Sequence, residues 1–304
     1  MSTREIERAL AAAVAAAGIA AMIWWPAADT GAPGEAAPDE PALEEPAPEA
    51  TEEPEGEPGE AAEADEPDEE AEPEAVAEPD QIEEPPAEPL LDDAGIAFSW
   101  MPAGDLVEDS GTGQILQINY APGMRFPIEA GQAYANSQVY GYGGYLGPAG
   151  GQCNAANYAY SWRDNFCETR GYGTPMCPSG HGHQGQDIRP ATCNDGVHQA
   201  LAAADGTITS IGSYSVRLMS DNGVRYTYLH LDKPTLQVAV GDHVTRGQAL
   251  GFVSNEFGDT ATTIHLHFEI KMAVETGGGI QNTSVPPYLA LVDSYQRLLE
   301  GEED

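Results

Sequence analysis

The chain has 304 residues, 12 Lys and Arg against 50 Asp and Glu, and a formal net charge of −38 at pH 7. Binding to nucleic acid needs clustered cations to neutralise phosphates, so this composition excludes a nucleic-acid partner. The charge is concentrated: residues 29–93 hold 27 acids and no Lys or Arg, whereas residues 94–304 hold 21 acids and 10 bases.

In chain order, the first element is a short apolar run. Arg4 and Arg8 precede Ala9–Trp25, which carries no charge. Seventeen residues is the lower limit for a membrane span and slightly long for a signal-peptide core. Trp24 and Trp25 suit a membrane interface. No Ala-x-Ala site follows directly, and Thr30-Gly31-Ala32 is the nearest candidate. The run has no polar face, which disfavours a soluble amphipathic helix. Residues 1–28 are therefore expected to be a signal-anchor in preference to a cleaved signal peptide, with the rest of the chain exported. The expected location is the cell envelope, periplasmic or extracellular, with anchoring to the inner membrane.

Residues 29–95 are built from Glu, Pro, Ala, Asp and Gly. Such a segment cannot bury enough apolar surface to offset its ordering entropy, so a disordered, extended linker is expected. It is either a tether or a solubilising spacer.

Residues 96–304 are long enough for one domain with a core. They divide into an N-terminal extension with a Cys-containing insertion, 96–180, and a core, 181–304. All four cysteines, Cys153, Cys167, Cys177 and Cys193, fall in one stretch without a C-x-x-C pair. In an exported chain they read as two disulfides, with three possible connectivities. The segment Tyr120–Tyr172 is rich in aromatic residues, most of them expected as buried core.

Further along, Tyr214, Val216 and Leu218 alternate with polar residues. Asn222-Gly223 follows, and then Val224, Tyr226 and Tyr228 alternate again. Two alternating runs joined by Asn-Gly predict a β-hairpin. Further strands are predicted near 206–211, 236–240, 248–254 and 263–271. A closing helix near 288–300 fits the spacing of Leu289, Val292 and Leu299. The expected class is mainly antiparallel β with a short C-terminal helix.

The histidines supply the chemistry. Ile264, Leu266, Phe268 and Ile270 alternate with His265, His267, Glu269 and Lys271. A period of two puts the apolar set on a core face and both histidines on the other. His183 and Asp187 are four apart, on one side of a strand or of a helical turn, and Gly182 and Gly185 argue against the helix. Imidazole and carboxylate are both good zinc ligands. His181 has the wrong parity with Asp187. His230 closes the second hairpin strand, and His198 and His243 read as surface residues.

Taken together, His183-x-x-x-Asp187, Tyr-Leu-His230-Leu and His265-Leu-His267-Phe-Glu resemble the lysostaphin/LytM-type zinc endopeptidases. The Asp205-Gly206 turn and the run Val240–Gly251 resemble that family too, and the likeness spans about 180–287. The resemblance implies an antiparallel β fold with a groove, one zinc ion on its floor, and hydrolysis of peptide bonds in bacterial peptidoglycan. It implies His183, Asp187 and His267 as zinc ligands and His230 and His265 as the catalytic pair. There is no H-E-x-x-H helix, so the site is not of thermolysin type. Two departures stand out. Gly258–Ile264 replaces the family's Gly-rich turn ending in Gly-Pro, and a long insertion precedes His183. The alternative is a non-enzymatic member of the same fold that binds cell wall or activates an amidase. Degenerate relatives of that kind have lost ligands, whereas all five residues are present here.

Overall fold

A computed structural model describes residues 88–302. The expectations for 1–28, and for all but the last residues of 29–95, lie outside the described residues. Among the described residues no helix is long and apolar enough to cross a membrane.

The domain is built on one eight-stranded sheet and one two-stranded sheet. The strands are β1 (Ala133–Ala135), β2 (Gln186–Pro190), β3 (Gln199–Leu201), β4 (Gly206–Ile211), β5 (Ser215–Ser220), β6 (Arg225–Leu229), β7 (His243–Val244), β8 (Ala249–Phe252), β9 (Leu266–Thr276) and β10 (Gly279–Val285). The large sheet runs β1-β2-β9-β6-β5-β4-β7, with β10 also on β9, and β3 pairs β8 separately. Every pairing is antiparallel. Among the described residues one α-helix, α1 (Tyr288–Leu299), follows the last strand. The mainly antiparallel β class with a short C-terminal helix is therefore what the chain adopts.

The predicted hairpin forms as β5 and β6, with Val216, Leu218, Tyr226 and Tyr228 buried and Arg217 and Met219 on the open side. Its turn uses Gly223 at φ +85°, a left-handed conformation that glycine adopts without steric cost. Strand β9 follows the same rule, with Leu266, Phe268 and Ile270 fully buried. It starts and ends later than the alternation indicated, because β10 continues its pairing out to Thr276.

Two expectations need correction. Residues 236–240 are not a strand: a 3-10 turn, Lys233–Thr235, delivers them as an extended loop. In that loop Gln237 donates one backbone bond to Leu250. The pairing with β4 falls instead to His243–Val244. In α1 the buried stripe is Tyr288, Leu291, Val292 and Tyr295, whereas Leu289 and Leu299 are half-buried. The stripe turns because two tyrosines bury their rings and satisfy their hydroxyls: Tyr288 donates to the carbonyls of Met101 and Trp162, and Tyr295 to that of Gly131. Most aromatic residues of 120–172 lie in or against the core, as expected: Phe126, Tyr134, Trp162 and Phe166 are buried and Tyr120 and Tyr160 pack on the cluster, whereas Tyr142, Tyr145 and Tyr172 are exposed.

The insertion is loop-rich and held by the disulfides Cys153–Cys193 and Cys167–Cys177, one of the three connectivities open to the sequence. Buried Arg189 on β2 also holds it. Its guanidinium donates to Asn136 Oδ1 and to the Gln152 carbonyl and lies over the Tyr158 ring.

Candidate metal centre and groove

Strand pairing assembles the site. Asp187 of β2 lies directly across from His267 of β9, and His267 lies across from Leu229 at the end of β6. His230 follows β6, and His265 precedes β9 by one residue. Three neighbouring strands thus bring residues 183–187, 230 and 265–267 to one end of the sheet. Gly185 is required for this approach: a Cβ there would sit 2.5 Å from the Phe268 carbonyl oxygen and 2.8 Å from His267 Nε2.

His183, Asp187 and His267 converge. His183 Nε2 is 2.9 Å from His267 Nδ1 and 3.3 Å from Asp187 Oδ1, and His267 Nδ1 is 3.0 Å from Asp187 Oδ1. The outer nitrogens fix the tautomers. His183 Nδ1–H donates to the Asn165 carbonyl at 2.9 Å, and His267 Nε2–H donates to Glu269 Oε1 at 3.1 Å. Each imidazole then turns a lone pair inward, towards an anionic oxygen. Three acceptors in mutual contact call for a cation between them. Ligands about 2.0–2.1 Å from a tetrahedral zinc stand roughly 3.3 Å apart, close to this triangle, so the residues fit the ion.

The charges agree. Burial works against ionisation of Asp187, yet the neighbouring His183 and His265 hold its carboxyl well below the usual range. Burial lowers the pKa of His183. In His267 burial is outweighed by the hydrogen bonds to Asp187 and Glu269, and the pKa rises to about 9. A positive charge is favoured at this point.

His230 and His265 stand beside the triad. Their ring centroids are 4.4 Å apart, and His265 Nε2 is 3.4 Å from Asp187 Oδ1. His230 Nδ1–H donates to the Glu256 carbonyl at 2.8 Å and His265 Nδ1–H to the Thr263 carbonyl at 2.8 Å, which leaves the His230 Nε2 towards the cavity and the His265 Nε2 against Asp187. Burial, then the proximity of His265, pushes the His230 pKa well down, keeping that ring neutral. His230 has φ +65°, uncommon for a side chain with a Cβ, and its carbonyl is held by both the amide and the hydroxyl of Ser254.

The site opens on a cavity of about 430 Å³ lined by all five residues, with Tyr214 and Phe257 on one wall and Arg170 and Tyr172 of the insertion on another. Thr262, from the divergent loop 258–264, also lines it. None of residues 96–135 does. His181 is exposed. His198 bonds Glu129 and Thr192, and exposed His243 contacts Asp221, so neither joins the site.

Sequence reasoning missed Asn165. Its carbonyl holds His183, its amide Nδ2–H donates to Asp187 Oδ2 at 2.8 Å, and its Oδ1 accepts from the Asp187 amide. One buried residue thereby orients two of the three convergent residues, His183 through its main-chain carbonyl and Asp187 through its side chain. Glu269 does the same for His267. Glu269 could be seen in the His-x-His-x-Glu pattern, but nothing in the sequence around Asn165 marks it.

Residues 181–281 match peptidase family M23. The M23 segment contains all five site residues and excludes Asn165 and most of the insertion. No curated protein sequence matches the chain. Among solved structures, it is similar to the catalytic domain of lysostaphin from Staphylococcus simulans, with 24% identity over 44% of this chain and 90% of that one, and a TM-score of 0.31. It is also similar to a putative glycyl-glycine endopeptidase LytM from Ruminococcus gnavus, with 20% identity, 59% and 61% coverage, and a TM-score of 0.35. A third is the catalytic domain of the prophage-encoded M23 protein EnpA from Enterococcus faecalis, with 22% identity, 43% and 95% coverage, and a TM-score of 0.28.

Proposed function

We propose that the chain is a zinc-dependent endopeptidase that hydrolyses peptide cross-links of bacterial peptidoglycan. In this reading His183, Asp187 and His267 hold the ion, and His230 and His265 handle the proton. The observation that supports it best is the inward-facing lone-pair triangle beside two further histidines, each fixed through Nδ1, inside a segment that matches a peptidase family.

Zinc held there supplies Lewis acidity and makes water nucleophilic near neutral pH. The residues of the chain do the rest. One Nε2, of His230 or His265, takes the proton of the attacking water and returns it to the leaving amine. The other, once it carries a proton, can hydrogen-bond the oxygen that gains charge. Burial keeps the His230 ring neutral, so it is available as a base. Glu269 and Asn165 keep the ligand rings from rotating. Tyr214 stacks 5.8 Å from His230 and limits its motion. Two disulfides suit the oxidising cell envelope that this substrate requires. The reading also takes residues 1–28 as the membrane anchor and 29–95 as the tether.

Two variants of the full chain test the assignment. His183→Ala should lose stoichiometric zinc and all hydrolysis. His265→Ala should keep one zinc per chain and lose hydrolysis, read by mass spectrometry of digested peptidoglycan with and without chelator. Zinc loss in His265→Ala would show that the ligand set is misassigned. A zinc-replete wild-type chain that leaves peptidoglycan intact would remove the enzyme reading.

A further inference from the structure

The groove holds one cation that the hydrolytic machinery does not use. Arg170 is the sole Lys or Arg among the residues lining the cavity, in a domain with twice as many acids as bases. It lies within the loop closed by Cys167–Cys177, on the wall that also presents Tyr172. Its side chain is 18% exposed and makes one ion pair, with Glu168.

Two bonds fix the guanidinium from behind. Nη1 donates to the Thr169 carbonyl at 2.8 Å, and Nη2 donates to Glu168 Oε2 at 3.2 Å, where Glu168 is fully buried beneath the loop. A guanidinium carries five N–H donors in a rigid fork. No other protein acceptor engages this one among the described residues. The negative charges of the cavity wall do not compete for it: Asp187 and Glu269 bond the histidines. An anchored, partly desolvated fork with free donors facing a groove matches a carboxylate.

We propose that Arg170 reads a free carboxylate beside the bond that is cut. The groove then takes cross-link peptides bearing an acidic side group near that bond, of the diaminopimelate kind, and discriminates against all-glycine bridges. This rests on the endopeptidase reading above and sharpens its substrate class. Arg170 acts as a specificity residue: it binds substrate and takes no part in proton transfer.

The test compares three probes on the full chain. The first is a peptide dimer cross-linked through diaminopimelate with its carboxylate free, the second is the same dimer with that carboxylate amidated, and the third is pentaglycine. The wild type should favour the free carboxylate over the amide in kcat/KM by on the order of 10- to 100-fold, the worth of a charge-assisted bond. Arg170→Gln should lower kcat/KM for the acidic dimer to the level of the amidated one, chiefly through KM, with zinc content and kcat/KM for the amidated dimer unchanged. Arg170→Lys keeps the charge but loses the fork, and should retain part of the preference. Equal loss on both dimers in Arg170→Gln would show that Arg170 only braces Glu168. A wild type that cuts both dimers equally, or prefers pentaglycine, would overturn the specificity proposal alone. A wild type that carries zinc and cuts none of the three would overturn the endopeptidase reading with it.

Discussion

His267 links the chemistry of the site to pH. Without metal, the site accommodates its positive charge as a proton on this ring, whose pKa is raised to about 9 by Asp187 and Glu269 against the effect of burial. The folded value exceeds the ordinary 6.5, so this proton stabilises the metal-free fold fully below pH 6.5, and the contribution fades as pH rises towards 9. His230 works in the opposite direction, because its folded pKa is depressed: it costs stability as pH falls below 6.5. Zinc must displace the His267 proton. Its apparent affinity should therefore climb about tenfold per pH unit from roughly pH 6.5 to 9 and then level off. Competition against a chelator of known affinity measures this, and a flat profile between pH 7 and 8 would contradict it. The five site residues were legible in the sequence because histidine and aspartate at fixed spacings stand out from alternating apolar strands. Asn165 was not, because its role is set by contacts to residues 18 and 22 positions later, on a strand it does not belong to.

At the scale of elements, legibility follows periodicity. The β5–β6 hairpin and β9 were readable because one face is buried and the alternation is strict. Strands β1 and β3 are three residues each, too short to show a period, and they are held by their neighbours. The run 236–240 alternates like a strand yet finds no partner, since the edge of β4 is already taken by β7. The insertion has no period at all, and its shape comes from its two disulfides. Their removal should separate stability from recognition. The Cys153→Ser/Cys193→Ser pair opens a loop of 40 residues and should cost about 4 kcal/mol by loop-closure entropy. The Cys167→Ser/Cys177→Ser pair opens a loop of 10 residues and should cost about 3 kcal/mol. It should also loosen the wall that carries Arg170 and Tyr172. Urea unfolding gives the first quantity. Steady-state KM gives the second, which should rise in the Cys167/Cys177 pair more than stability alone explains.

The whole domain is tied by an aromatic cluster far from the groove. Tyr295 of α1 packs 4.9 Å from Phe98, 4.9 Å from Phe126 and 4.7 Å from Trp162, ring centroid to centroid, and its hydroxyl bonds that of Tyr160 at 2.8 Å. Three residues beyond Trp162 stands Asn165, which orients His183 and Asp187. The site is therefore coupled by packing to the last helix, although no residue of α1 lines the cavity. A chain ended at Pro286 should lose the cluster, become protease-sensitive, and bind zinc more weakly while retaining all five site residues. Limited proteolysis and zinc titration test this together. An intact, zinc-tight truncation would show the helix to be dispensable. This closure across nearly the full length of the domain also sets an order of events. A chain made from its N-terminus displays Phe98, Trp162 and the histidines long before Tyr295 exists to lock them. On the proposed reading, a nascent or interrupted copy that stops before Tyr288 holds all five site residues but lacks the helix that packs the cluster beside them.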